Sequence, residues 1–316
     1  MASGRLTGPA IESAVGAGDW ELVGIPYTSA ARPGGIADAI RVLRAEGLTE
    51  RLGKLGVADG GDLELDGPSG ERGSSGLLNE PALAQLVRAT RTRVGEILER
   101  GRRPLLVGGD CPVLLGPLAA IRDRGERPGL VMIDGHEDAW PPERSETGEA
   151  SDSEVAIALG LVLRLPSPLD GLTPLLDTSA LAMAGPRDAA EIAEAGVVSI
   201  RDRVAAFADP EALRDGGIED GIGGELAAID ADAVWVHVDL DVLTTAAMPA
   251  VDYRQPGGLE WAELDRLAAV ALGDPRCRGC SVVIYNPEFD PDRSDARRVV
   301  EFLARLVAGL PGRGSR

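Results

Sequence analysis

The chain has 316 residues, of which 44% are hydrophobic and 26% charged, enough apolar material to bury a sizeable core. A net charge of −19 repels polyanions and argues against nucleic acid or an anionic membrane surface as partner. No apolar run reaches the roughly 18 residues that cross a bilayer. The first twenty residues lack a basic stretch followed by an apolar one, so a cytoplasmic location is expected. Along the chain, short apolar runs alternate with longer amphipathic stretches. Strands are expected at 20–27 (WELVGIPY), 103–110 (RPLLVGGD), 129–135 (GLVMIDG), 181–186 (LAMAGP), 196–200 (GVVSI), 233–241 (AVWVHVDLD) and 280–287 (CSVVIYNP). Helices are expected at 80–101, stopped by Gly101, and at 291–310. Because the strand runs are continuously apolar rather than alternating, they predict a parallel sheet covered on both faces, and one doubly wound α/β domain over 1–316. Two segments read as long loops: 57–79, rich in Gly, Asp and Ser, and 139–153, which follows a strand end directly.

Three strand ends carry polar clusters: V-G-G-D-C, I-D-G-H-E-D and H-V-D-L-D. In an open parallel sheet, ligands bind beyond the carboxyl ends of the strands. That rule gathers Asp110, Cys111, Asp134, His136, Asp138, Asp239 and Asp241 into one crevice. Alternation along an extended chain places Asp134, His136 and Asp138 on one side, and Asp239 with Asp241 likewise. So many carboxylates repel one another and are costly to bury unless cations neutralise them. The cluster holds enough donors for two ions, with Asp134 and Asp239 as bridges. Two ions about 3.5–4 Å apart can hold a bridging hydroxide. Carboxylates with one imidazole suit hard ions such as Mn²⁺ or Mg²⁺, while the Cys111 thiolate shifts preference toward Zn²⁺ or Fe²⁺. His237 lies two residues before Asp239 and is expected on the same side, as pocket wall or as a buried structural residue. A phosphatase of the haloacid-dehalogenase type also uses D-x-D but wants Thr or Val four residues after its first Asp, where this chain has Leu243. Cys277 and Cys280 lack the second pair that a four-thiolate zinc site needs and are read as reduced thiols.

These motifs resemble the ureohydrolase (arginase and agmatinase) family. G-I-P-Y-T-S-A-A-R-P-G-G at 24–35 looks like its first strand and Gly-rich loop, and G-G-D-C at 108–111 corresponds to its G-G-D-H. D-G-H-E-D at 134–138 corresponds to D-A-H-x-D, while V-D-L-D at 238–241 followed by P-G-G-L at 256–259 matches its late metal segment. The resemblance implies a three-layer α/β/α sandwich, two manganese ions per chain and a trimeric or hexameric homo-oligomer. It implies that Cys111, Asp134, Asp138 and Asp239 hold one metal, and that Asp134, His136, Asp239 and Asp241 hold the other. Asp138 would manage the proton of the nucleophile. The departures are as informative. Cys111 replaces a ligand His, and Thr244 and Thr245 replace an Asp-Pro. Ile284 stands where the family has a guanidinium-gripping Glu, for which Glu288 is a substitute only on a shifted register. Ser151 stands near the family's proton-shuttling His, and Ala190 where arginases carry a substrate-reading carboxylate. Glu154 is then a candidate catalytic residue that orients the substrate, with Ser151, Asp152 and His237 as pocket groups. The expected activity is hydrolysis of a C–N bond in a small amidine, guanidine or amide, less cationic than arginine. The competing expectation is a non-catalytic paralogue with a degenerate metal site, serving as a structural or regulatory subunit.

Overall fold

A computed structural model describes residues 19–167 and 169–309. Eight strands form one sheet: β1 (Trp20–Gly24), β2 (Ala58–Asp62), β3 (Arg103–Val107), β4 (Pro128–Ile133), β5 (Leu181–Ala184), β6 (Ala206–Ala208), β7 (Ala233–Asp239) and β8 (Cys277–Val283). Their spatial order is β2-β1-β3-β8-β7-β4-β5-β6, and every pairing is parallel. The helices that matter below are α1 (Ala39–Ala45), α2 (Leu48–Gly53), α3 (Glu80–Glu99), α4 (Leu115–Asp123), α5 (Glu154–Ala158), α6 (Ala189–Glu194), α7 (Pro210–Gly216), α8 (Ile218–Ala228), α9 (Trp261–Leu272) and α10 (Ser294–Val307). Helix α3 packs against α4, while α8, α9, α10, α1 and α2 touch in a row, so helices flank the sheet as the outer layers of a three-layer α/β sandwich. Strands β1, β4 and β7 are buried at every position, which is why their sequences are apolar without alternation. Among the described residues, no helix is long and apolar enough to cross a membrane.

Two expectations need correction at the sheet edges. The loop read at 57–79 contains strand β2, whose sequence ADGGD has no large apolar residue and whose side chains are partly or fully exposed. Its backbone bonds to β1, while Arg44 of α1 neutralises Asp59 and Asp62, so pairing and charge rather than burial hold this edge. At the other edge, 196–200 is not a strand. Val197 spends its N–H on the Ile192 carbonyl that ends α6, and Val198 is three-quarters exposed; the edge strand is Ala206–Ala208 instead.

The feature that builds a site is the gap between β3 and β4. The chain leaves β3 and re-enters the sheet beyond two positions that β7 and β8 fill later. Pairing aligns Val107, Val282, Val238, Ile133 and Ala184 in one transverse row. Whatever follows that row in β3, β7 and β4 must therefore emerge at the same level, around a crevice.

Candidate metal centre

Each strand end turns sharply just past the row. After β3, Gly108 and Gly109 both have positive φ, 88° and 73°. A Cβ on Gly109 would sit 2.7 Å from the Ile25 carbonyl oxygen, so the tight turn requires glycine there. The turn lets the Asp110 carboxylate accept from the backbone N–H groups of Ser29 (2.8 Å) and Cys111 (2.9 Å). Asp110 is thus a buried cap that aims Cys111 at the crevice, rather than a donor to it. After β4, the Asp134 Oδ1 atom accepts from the His136 N–H at 2.8 Å, curling the D-G-H-E-D segment. Extended alternation does not carry this segment: β4 ends at Ile133, and Asp138 has a left-handed φ of 45°. After β7, the Asp239 Oδ1 atom accepts from the Asp241 N–H at 2.6 Å, and the Asp241 Oδ1 atom accepts from the Gly135 N–H at 3.1 Å. Strand ends β4 and β7 are thereby stitched together through their own carboxylates.

The six residues read as metal donors converge. The Cys111 thiol donates to Asp239 Oδ2 at 2.8 Å, and His136 Nδ1 lies 3.1 Å from Asp241 Oδ2 and 3.7 Å from Asp134 Oδ1. Asp134, Asp138, Asp239 and Asp241 are all buried. Burial, reinforced by Glu154, pushes the Asp138 carboxyl well up; burial, reinforced by Asp241, does the same for Asp239. Asp134 is raised to about 6 by burial and by Asp241. Burial opposes the charge on His136, yet neighbouring Asp241 and Asp134 hold its pKa well above the usual value. Burial pushes the Cys111 thiol up as well. Asp241 goes the other way: burial pushes its carboxyl up, but His136 beside it outweighs that and holds it low. The other three acids, hard to ionise, are what a cation would relieve.

Whether the donors suit metal ions can be tested on their unpaired atoms. Asp134 Oδ2, both oxygens of Glu154, and His237 Nε2 are buried without a hydrogen-bond partner, an arrangement that native structures rarely tolerate. Three donor sets each lie within 4.8 Å: Asp134–His136–Asp241, Cys111–Asp138–Glu154 and Cys111–Asp134–His237. Carboxylate oxygens and an imidazole nitrogen with unpaired lone pairs, beside a second imidazole and a thiol, fit divalent cations.

Above this floor lies a cleft of about 230 Å³. Cys111, His136, Asp138, Asp239 and Asp241 form its base. Its walls come from the 139–153 loop (Trp140, Ser145, Glu146, Thr147, Ser151 and Asp152), from Asp188 and Glu191, and from Tyr253 and Ile284. Ser151 and Asp152 therefore stand where the sequence reading placed them. His237 takes the second of its two expected places: it is fully buried beneath the floor, with Nδ1 2.7 Å from Ser281 Oγ. Glu154 is also absent from the cleft lining, since α5 turns it inward behind Asp138. It cannot orient a substrate there. Glu288 is no substitute for the missing guanidinium ligand. It accepts from Arg32 at 3.0 Å on the surface, and Ile284 lines the cleft at the position the resemblance indicated.

Sequence reasoning missed Trp140, Asp188, Glu191 and Tyr253. G-P-R-D after β5 is a fourth polar strand end and was the available signal. Within it, Arg187 donates to the carbonyls of Asp241 (2.7 Å) and Pro256 (3.2 Å), tying the wall to the floor. Glu137, the variable residue of D-G-H-E-D, turns away from the cleft. It accepts from Ser199 Oγ (2.6 Å) and the Ile200 N–H (2.8 Å), while its own N–H donates to Asp188.

Comparison with known proteins agrees with this fold. The family model described as the arginase family matches residues 19–309. An arginase of Bacillus caldovelox is 26% identical over 292 residues, covering 90% of this chain and 96% of its own length. An arginase of Staphylococcus aureus (strain MRSA252) is 23% identical over 298 residues, covering 90% and 95%. The solved structure of the B. caldovelox arginase superposes with a TM-score of 0.78 at 23% identity, covering 94% of this chain and 99% of that one. Formimidoylglutamase from Bacillus subtilis subsp. subtilis str. 168 gives 0.70 at 18%, covering 97% and 95%. The chain belongs to the arginase family, metal-dependent hydrolases that act on C–N bonds other than peptide bonds.

Proposed function

We propose that this chain is a two-metal hydrolase of a small amidine or guanidine, and that it is not an arginase. The observation that carries the reading is the set of buried, unpaired donors at the base of an open cleft. In this reading Cys111, Asp134, Asp138 and Asp239 hold one ion, while Asp134, His136, Asp239 and Asp241 hold the other. Manganese is the expected metal, with zinc or iron(II) favoured at the position that Cys111 serves. When bound, such a pair supplies a water-derived nucleophile near neutral pH and polarises the group it attacks. Asp138, at the base of the cleft, takes the proton that the nucleophile releases and returns it to the departing nitrogen. Glu154, packed behind Asp138, is a positioning residue in this scheme and not a substrate contact.

The cleft divides by chemistry. Ile284 gives an apolar surface where a guanidinium ligand would stand, while Asp152, Asp188 and Glu191 add acidic groups to the lining. This supports a substrate whose reacting carbon is gripped weakly and whose far end carries the positive charge. Ser151 and Asp152 serve as pocket groups. In the same reading the chain is a cytoplasmic homo-oligomer, a trimer or hexamer, which light scattering and cell fractionation test.

The deciding experiment measures metal content and turnover together. Purified protein should carry about two divalent ions per chain. It should release an amine or ammonia from a panel of ω-amino amidines and guanidines faster than it releases urea from arginine. Two bound ions with no turnover on any member of the panel would favour the non-catalytic paralogue. Failure to bind any divalent ion would overturn the metal-dependent reading itself.

A further inference from the structure

We propose that His237 is itself a metal ligand, and that Cys111, Asp134 and His237 give one of the two metal positions a thiolate–carboxylate–imidazole donor set suited to Zn²⁺. This deepens the two-metal reading above and rests on it. The three donor atoms lie within 4.8 Å of one another, and all three residues are buried. Two of those residues carry a buried polar atom without any partner, Asp134 Oδ2 and His237 Nε2. Had the two atoms bonded to each other, the pair would be an ordinary buried His–Asp contact. They do not, and a thiol stands beside them.

The other face of the imidazole is fixed. His237 Nδ1 lies 2.7 Å from Ser281 Oγ, which accepts at 3.0 Å from Trp235 Nε1, an atom that only donates. Ser281 Oγ has a second lone pair for the His237 Nδ1–H. In the tautomer this proposal requires, Nδ1–H donates to Ser281 and the unpartnered Nε2 keeps its lone pair for a metal, the arrangement an outer hydrogen bond imposes on a ligating histidine. Strands β7 and β8 hold this arrangement rigidly, because His237 and Ser281 are register partners. Sulfur and nitrogen donors favour zinc over manganese. The other position, built on His136, Asp134 and Asp241, opens to the cleft and keeps harder, oxygen-rich ligation.

The test uses the full chain, stripped with a chelator and reloaded with Zn²⁺ or Co²⁺ alone. X-ray absorption of the zinc form should show sulfur ligation together with imidazole from two histidines. The cobalt form should show a thiolate-to-metal charge-transfer band that Cys111→Ser removes. By calorimetry, His237→Ala should weaken binding of one ion per chain by about a thousandfold or more, above the roughly 10–100-fold that losing only an outer partner costs. The ion at His136 should stay bound, and added imidazole should restore the lost one in His237→Gly. If His237→Ala does not fold, the wild-type absorption spectrum decides. Two ions bound with a single imidazole and no sulfur would overturn this inference and leave the hydrolase reading standing, whereas no bound ion at all would overturn both.

Discussion

The floor of the cleft and its walls are built on opposite principles. The floor sits on the ends of central strands, every donor position fixed by a transverse row of paired residues and by carboxylates capping the turns that carry them. The walls come from the 139–153 loop, the start of α6 at Asp188 and Glu191, Tyr253 and Ile284, held by scattered side-chain bonds such as Tyr253 to Glu149 and Gln255 to Glu191. The floor determines what class of chemistry is possible. The walls determine on what. Strand ends hold a constellation to fractions of an ångström, whereas loops trade that rigidity for variable chemistry.

If this contrast is right, damage to the floor should be catastrophic and damage to the walls selective. Asp134→Ala or Asp239→Ala should remove bound metal and lower turnover on the order of a thousandfold, the equivalent of the several kcal/mol that a metal contributes to a transition state. Metal analysis and steady-state kinetics check this, and a variant with normal metal and turnover would place the chemistry elsewhere. Gly185→Ala attacks the floor through its backbone. Gly185 has φ of 107°, and a Cβ there would lie 2.4 Å from Val242 and 2.7 Å from the Asp134 carbonyl oxygen. A loss of at least about 1–3 kcal/mol should follow from the backbone conformation alone, visible in chemical denaturation.

Wall variants should divide binding from chemistry. Ile284→Glu should raise kcat/KM for a guanidinium substrate relative to an amide, with metal content unchanged; equal effects on both would mean that position 284 does not face the reacting group. Glu191→Gln should raise KM for a substrate with a cationic tail by about tenfold while leaving kcat near its starting value. The smallest effect concerns pH. Burial, with Asp110 and Asp152, raises Glu149 to about 7 from the usual carboxylate range. A folded pKa above the unfolded one means that its contribution is complete below the unfolded value and is lost as pH rises through the folded value. Glu149→Gln should therefore raise Tm slightly at about pH 8 and leave it unchanged at about pH 5. A shift of the same size at both would remove Glu149 titration from the account.

The same division explains what could be read from sequence. Central strands announce themselves as apolar runs, and the polar residues that converge at the cleft base follow them in V-G-G-D-C, D-G-H-E-D and H-V-D-L-D, so which strand ends meet was legible. Edge elements were not. Strand β2 is an ADGGD segment held by backbone pairing and Arg44, which leaves no hydrophobic trace. Walls were only partly legible, because Tyr253 and Trp140 reach the cleft through loop geometry that no periodicity encodes. Depth was the other hidden coordinate: Glu154 was expected as a pocket group yet is buried outside the lining, and the choice between pocket wall and buried residue for His237 fell to burial. A position in a strand or helix gives a direction along the chain, but which layer the side chain enters depends on neighbours distant in sequence.

One consequence of the strand order concerns time rather than space. Strand β8 lies between β3 and β7, so residues 277–283 join Val107 to Val238 across the middle of the sheet. On the ribosome, the strands that carry Cys111, Asp134 and Asp239 are all made before the one that brings them into register. Pairings of such long sequence separation close late. The metal centre can thus be assembled only near the end of synthesis, and loading belongs to the finished chain rather than to the growing one.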